Sequence, residues 1–167
     1  ARPDRTPGNR GLLRRGLRRF GSSPETRAIA PATLQAAAAG AALLASTFLL
    51  FGLAGPVDLG FGSYAMLGLL VLVAGFIFGG LGTGLALMLA GVPVARIIGD
   101  RLDNPTGAVL ALAGAAIGVW AFHSAAVQTG LVPPDEPFIT FVAACFALPA
   151  ALIYRRQVLL ERVIERT

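Results

Sequence analysis

Hydrophobic residues in this chain are gathered into four long uncharged runs, and all of the charge lies between or outside them. The runs cover residues 31–54, 64–90, 106–131 and 138–154, which are 24, 27, 26 and 17 residues long. A helix of about 20 residues crosses the hydrocarbon core of a bilayer, and about 17 is the practical minimum. The pattern therefore predicts an all-α integral membrane bundle of four transmembrane helices.

The runs divide the chain into three parts. We expect an Arg-rich cytoplasmic tail over 1–30, a four-span bundle over 31–154 and a basic cytoplasmic helix over 155–167. Hydrophobic residues make up 55% of the chain and charged residues only 14%, and the mean hydropathy is +0.71. A water-soluble domain of this size needs more polar surface than that.

The fourteen arginines predict the orientation in the membrane. Eight precede the first run, Arg96 and Arg101 lie between the second and third, and four follow the last. The other two loops carry only acidic charge, at Asp58, Asp135 and Glu136. The positive-inside rule then places both termini in the cytoplasm of a multi-pass plasma-membrane protein. Because orientation accounts for the pI of about 11.0, no nucleic-acid partner is expected.

The first run does not have the form of a cleavable signal. Its polar lead of thirty residues is too long, and 24 apolar residues exceed the core of a signal peptide. Every basic residue is arginine and none is lysine, which is typical of a GC-rich genome, and we expect a bacterial source.

Both polar ends of the chain have amphipathic periodicity. Within residues 11–20, an arc of Leu12, Leu13, Leu17 and Phe20 opposes an arc of Arg14, Arg15, Arg18 and Arg19. This predicts an interfacial helix whose arginines meet anionic lipid headgroups. The alternative is a solvated tail, which Gly11 and Gly16 favour.

The fourth run is expected to continue into the C-terminal helix without a break. The predicted apolar arc of that helix consists of Leu159, Leu160, Val163 and Ile164, and its charged residues lie mostly opposite. Pro149 lies inside the run and cannot donate a backbone hydrogen bond, so we expect a kink there.

The second run contains an unusual density of glycine. Residues 79–84 include four glycines, but the third glycine of a nucleotide loop is missing, no lysine follows and the flanks are apolar. Small residues four apart instead let two helix backbones approach closely in lipid. The predicted packing residues are Gly75, Gly79, Gly80, Gly82 and Gly84, with a matching stripe of Gly114 and Gly118 in the third run. The second helix is then the centre of the bundle; the alternative is a pore-lining hinge.

Reactive side chains are scarce within the four runs. No Asp, Glu, Lys or Arg lies inside them, which argues against an ion-coupled transporter or a proton relay. His123 is the notable polar residue, and a helical projection places it opposite the Gly114 and Gly118 stripe, near Trp120. It is the only histidine and no carboxylate is near it in sequence, so no metal or cofactor is expected. Two interpretations stay open: a hydrogen bond to a neighbouring helix or headgroup, and a contact of Trp120 and His123 with another subunit.

Two further groups of residues are considered as possible metal-binding or reactive sites. Asp100 and Asp103 flank Arg101, and paired carboxylates at a membrane surface can hold Mg²⁺ for phosphoryl transfer. Two carboxylates are too few, so capping or pairing with arginine is the preferred interpretation. Cys145, the only cysteine, is expected to be a small buried hydrophobic residue. No enzyme activity is expected.

These features predict a non-catalytic accessory or assembly subunit of a larger membrane complex. Its partners would be membrane lipids, including anionic headgroups, and other membrane subunits. One alternative is a small oligomeric channel or transporter whose path is lined by Thr83, His123, Ser124 and Gln128. A second alternative is a protein that binds anionic lipids through its arginines.

Overall fold

A computed structural model describes residues 23–55 and 60–166, and this part of the chain is all-helical with no strand. The α-helices are α1 Pro24–Arg27, α2 Ile29–Ala54, α3 Phe61–Ala74, α4 Gly80–Ala86, α5 Val92–Ile98, α6 Pro105–Gln128 and α7 Pro137–Arg166. They form four helices long and apolar enough to cross a membrane, which we call the first (α1–α2), second (α3–α5), third (α6) and fourth (α7) long helix. The all-α class and the four apolar helices are confirmed. The predicted interfacial helix with Arg14, Arg15, Arg18 and Arg19 lies outside the described residues.

The second long helix is longer than its apolar run predicts. Two π-helical turns, Gly75–Gly79 and Leu87–Gly91, join its α-helical parts, so the backbone stays helical from Phe61 to Ile98. At 1.5 Å per residue this is about 57 Å, nearly twice the hydrocarbon thickness of a bilayer. The helix ends at Gly99, whose φ of +55° lies in the left-handed region that glycine adopts without a steric penalty. A 3₁₀ turn over Gly99–Asp103 follows.

The third and fourth long helices have clear ends. Asn followed by Pro is a sequence pattern typical of a helix start, and the third begins at Pro105 after Asn104, although the Asn104 side chain makes no capping hydrogen bond. It ends at Gln128, three residues before the end of the apolar run, because Gly130 turns the chain with a φ of +71°. The fourth runs unbroken from Pro137 to Arg166 with Pro149 inside it, which confirms its continuation into the C-terminal helix.

The first and fourth long helices form the centre of the bundle. They pack along each other; the second packs mainly against the first and also touches the fourth, and the third packs against the fourth. The predicted central position of the second long helix is therefore wrong.

The larger of two buried hydrophobic clusters lies towards one end of the bundle. We call this the arginine end, formed by residues 23–29, 95–107 and 153–166. Its core consists of Ala28, Ile29, Ala32, Leu87, Ala95, Leu102, Tyr154 and Val158. A smaller cluster midway along the helices consists of Ala41, Cys145 and Phe146. Elsewhere large apolar side chains point outwards, as is typical of helices that lie in lipid.

Candidate functional site

The glycines of the second long helix make room for one aromatic ring. Phe146 of the fourth long helix projects between Gly79 and Gly40 of the first, and a Cβ on either glycine would overlap that ring. A Cβ on Gly75 would lie 3.6 Å from Phe146 Cζ and 3.5 Å from Ala41 Cβ. These glycines therefore hold a side chain between three helices, as well as bringing helices close together.

A second set of glycines faces the first long helix. A Cβ on Gly80 would lie 3.2 Å from Ala37 Cβ, and one on Gly84 would lie 3.4 Å from Thr33 Cγ2. The second long helix thus has two glycine faces, one for the Phe146 ring and one for the first long helix.

Gly82 does not share in this packing, so the packing role predicted for it is wrong. Among the described residues, a Cβ on Gly82 would meet no atom within 4 Å, and Gly82 is exposed. The prediction assumed 100° per residue throughout. At that spacing Gly82 lies about 60° around the helix from Gly79, and the contact with the Phe146 ring does not extend that far.

The glycine stripe of the third long helix faces outwards. Gly114 and Gly118 are exposed, and a Cβ on either would meet nothing within 4 Å in the described part of the chain. Trp120 is also exposed, by 69%. The predicted contact of this stripe with the second long helix is wrong, because the third long helix packs against the fourth and the stripe is turned away from that contact.

His123 has a partner on the neighbouring helix. Its Nδ1 lies 2.8 Å from Thr140 Oγ1 of the fourth long helix, and the pair is partly buried. The interpretation of His123 as a hydrogen-bonding residue between helices is confirmed. The predicted contact of His123 with a different polypeptide is wrong, because His123 lies on the side of the third long helix that packs against the fourth. Of the two residues predicted to face a partner, only Trp120 points outwards.

At the arginine end, a buried ion pair links the start of the first long helix to the last turns of the fourth. Glu25 Oε1 and Arg162 Nη2 are 3.1 Å apart, with side chains only 10% and 15% exposed. Arg162 Nη1 also donates to the Gly99 carbonyl at 3.0 Å, and the Tyr154 hydroxyl donates to the Glu25 carbonyl at 3.0 Å. Three separate segments of the chain thus meet at this ion pair.

The environment of Glu25 keeps its carboxylate charged. Burial by itself raises the pKa of Glu25, but a backbone hydrogen bond, the Ser23 hydroxyl and the Arg162 guanidinium together hold the pKa below its usual value. Glu25 precedes the apolar run, so these interactions lie at the polar end of the first long helix.

Three more arginines hold this end together. Arg27 forms ion pairs with Glu161, at 3.0 Å, and with Glu165. Arg96 of the second long helix donates to the Ser23 hydroxyl at 3.2 Å. Arg155 of the fourth donates its Nε to the Leu102 carbonyl at 2.9 Å, and its Nη2 reaches the next two carbonyls of the chain. The Arg155 guanidinium thus binds three successive carbonyls at the turn that leads into the third long helix.

The inward face of the C-terminal helix differs from the predicted apolar arc. Tyr154, Val158 and Arg162, each four residues apart, point into the arginine end, whereas Leu160 and Val163 are exposed. The arc prediction considered apolar residues only, and here a charged residue lies on the buried side because Glu25 neutralises it. An acid in the short polar lead "SPETR" was the available signal for this pairing.

No reactive cluster forms in the part of the chain that the structure describes. No three residues among His, Cys, Asp and Glu lie close enough to hold a metal there, and Asp100 and Asp103 are both exposed. Cys145 is buried, as expected. The described polar side chains serve mainly to join helices.

Thr83 and His123, two of the residues in the polar path considered for a channel, lie at different levels of the bundle. Thr83 lies one turn beyond Gly79, and Gly79 touches Phe146, so Thr83 is level with about residue 150 of the fourth long helix. His123 is level with Thr140. The two are therefore separated by roughly 15 Å along the bundle, at 1.5 Å per residue.

Comparisons with known proteins return nothing for this chain: no family model, no curated protein and no solved structure matches it. The function of the chain therefore has to be inferred from its own residues. Two features of these residues are distinctive. The arginine end is held together by ion pairs, and the third long helix has an exposed face at Gly114 and Gly118.

Proposed function

We propose that this protein is a non-catalytic accessory or assembly subunit of a larger complex in a bacterial plasma membrane. Both termini lie in the cytoplasm, because every arginine of the described residues belongs to the arginine end and the opposite end carries Asp135 and Glu136. The absence of charged residues from the four apolar runs supports a structural role in preference to ion transport.

The exposed Gly114 and Gly118 face carries this proposal. Glycine offers lipid tails little side chain to contact, and it costs about 1 kcal/mol relative to alanine in a helix. Two glycines four residues apart at such a position allow the backbone of another helix to approach closely. Nothing in the described chain fills this position, since Cβ atoms built there meet no atom within 4 Å.

Trp120 offers a second exposed surface on the same helix. It is 69% exposed and, two residues beyond Gly118, projects about 160° around the helix from that glycine. Association between helices in lipid depends on dispersion contacts, because lipid tails are as apolar as the side chains themselves. The third long helix therefore has two separate sides, one flat at the glycines and one with a protruding ring, that a neighbouring helix can contact.

Site-specific photo-crosslinking in native membranes tests this function. A photo-reactive residue at Gly118 should trap a different polypeptide in a defined ratio. The matched control is Phe78, which is 73% exposed on the second long helix and should give lipid adducts only. Recovery of only lipid adducts or self-crosslinks at Gly118 would contradict the accessory-subunit function, and self-crosslinks together with ion conduction by the purified protein would favour the oligomeric channel.

A further inference from the structure

The arginines of the described chain divide into two sets: those that form an ion pair with a glutamate and those that do not. Arg27 and Arg162 engage all three glutamates of the arginine end: Glu25, Glu161 and Glu165. The other set has no ion pair within the described residues: Arg96, Arg101, Arg155, Arg156 and Arg166. The exposed acids that remain at this end are Asp100 and Asp103. All seven arginines against the three glutamates and two aspartates leave this end with a net charge of +2.

Three of these arginines lie at nearly the same height along the bundle. Gly91 of the second long helix and Tyr154 of the fourth are at the same level, because a Cβ on Gly91 would lie 3.4 Å from Tyr154 Cε1. Arg96 lies five residues beyond Gly91 on the second long helix, and Arg156 lies two residues beyond Tyr154 on the fourth. The spread is about 5 Å at 1.5 Å per residue. Arg155 donates to the Leu102 carbonyl, which brings Arg101 to the same end of the fourth long helix. This height is also where the apolar sequence of the second and fourth long helices ends.

Large apolar side chains stand exposed next to these guanidinium groups. Ile97 is 84% exposed beside Arg96, and Leu89, two turns earlier, is 78% exposed. In water such side chains expose apolar surface at a free-energy cost of about 25 cal/mol per Å². Arginines beside exposed isoleucine and leucine match a ligand that joins an anionic group to acyl chains.

We infer that Arg96, Arg101 and Arg156 bind the phosphate groups of anionic lipids at the arginine end, with Ile97 and Leu89 in contact with the acyl chains. The glutamates at this end are engaged by Arg27 and Arg162, so none of them pairs with Arg96, Arg101 or Arg156 in the described chain. Asp100 and Asp103 flank Arg101 and reduce its attraction for phosphate, so Arg96 and Arg156 contribute more. This inference does not depend on the accessory-subunit function.

Native mass spectrometry of the full-length protein in mild detergent tests the inference. The wild-type protein should retain phosphatidylglycerol in preference to phosphatidylcholine. Each arginine near an anionic surface contributes a factor of about five in affinity, so the combined variant Arg96→Gln, Arg101→Gln, Arg156→Gln should lose about 100-fold. Replacing the same three by lysine should keep most of the preference, since an ammonium group also binds phosphate.

Three controls make the test specific. Arg166→Gln removes one exposed arginine ten residues further along the same helix and should leave retention unchanged. If the triple glutamine variant does not fold, Arg156→Gln alone should show the fivefold loss, because Arg156 is exposed. Unchanged phosphatidylglycerol retention in the triple variant would overturn the site. Displacement of the lipid by inorganic phosphate would also overturn it, as would a loss of retention seen only when Arg14, Arg15, Arg18 and Arg19 are replaced by glutamine.

Discussion

The ring of Phe146 occupies the space that a side chain on Gly79 would need. This relationship links the second and fourth long helices at mid-height, and the same ring lies against Gly40 of the first. In lipid, where the hydrophobic effect does not hold helices together, such close contact supplies much of the attraction between them. Three of the four long helices are therefore joined at one aromatic side chain.

Replacing Gly79 by leucine should destabilise the protein by about 1–3 kcal/mol, because the new side chain overlaps the Phe146 ring. The control is Gly82→Leu, three residues away on the same helix, where a Cβ meets nothing within 4 Å. Both changes remove a helix glycine, which by itself favours the helix by up to about 1 kcal/mol. Thermal unfolding in detergent should show a lower midpoint for Gly79→Leu only, and equal midpoints would exclude the close contact with Phe146.

A double-mutant cycle should detect coupling between His123 and Thr140. The variants His123→Ala, Thr140→Val and their combination should give an interaction free energy of about 0.5–1.5 kcal/mol, since side-chain hydrogen bonds between membrane helices average about 0.6 kcal/mol. Ser124→Ala combined with Thr140→Val is the control and should be additive. Additive effects in the His123 cycle, measured by the same unfolding assay, would contradict the hydrogen bond.

Glu25→Gln should lower the free energy of unfolding by about 1–3 kcal/mol at neutral pH, because it leaves Arg162 without its buried counter-charge. Glu165→Gln, whose side chain is 46% exposed, should cost less. The pKa of Glu25 is depressed by folding, so its contribution is present above the pKa of the unfolded chain and is lost as pH falls through the folded pKa. Unfolding midpoints should therefore decrease less on acidification in Glu25→Gln than in the wild type. A parallel decrease would argue against this role for Glu25.

Single cysteines should report both termini on the cytoplasmic side. In a Cys145→Ala background, cysteines at Ser23 and Arg166 should be shielded from an impermeant thiol reagent in intact cells. A cysteine at Asp135, in the acidic loop, should be labelled. Labelling at Ser23 or Arg166 in sealed cells would show that the assigned orientation, with the arginines in the cytoplasm, is wrong.

Several local features followed from sequence because each depends on nearby residues. Apolar runs of bilayer length predicted four helices, and the Asn104–Pro105 pair predicted where the third begins. The glycine contacts of the second long helix were partly predictable, since Gly79 and Gly80 do face different neighbours. Gly82 was misplaced because glycine spacing identifies the glycine-rich side of a helix but not how far around it a neighbouring helix reaches.

The amino-acid sequence by itself determined the class of this protein, the number of its apolar helices and the segregation of its arginines. Only the tertiary structure decided which faces meet: that Phe146 packs into the space at Gly79, that His123 turns towards Thr140, and that Gly114 and Gly118 are left outside. The physical reason is that a helix apolar all round has no sequence signal that separates a lipid-facing side from a packed one. Shape complementarity then selects the partners, and it exists only once the helices are placed together.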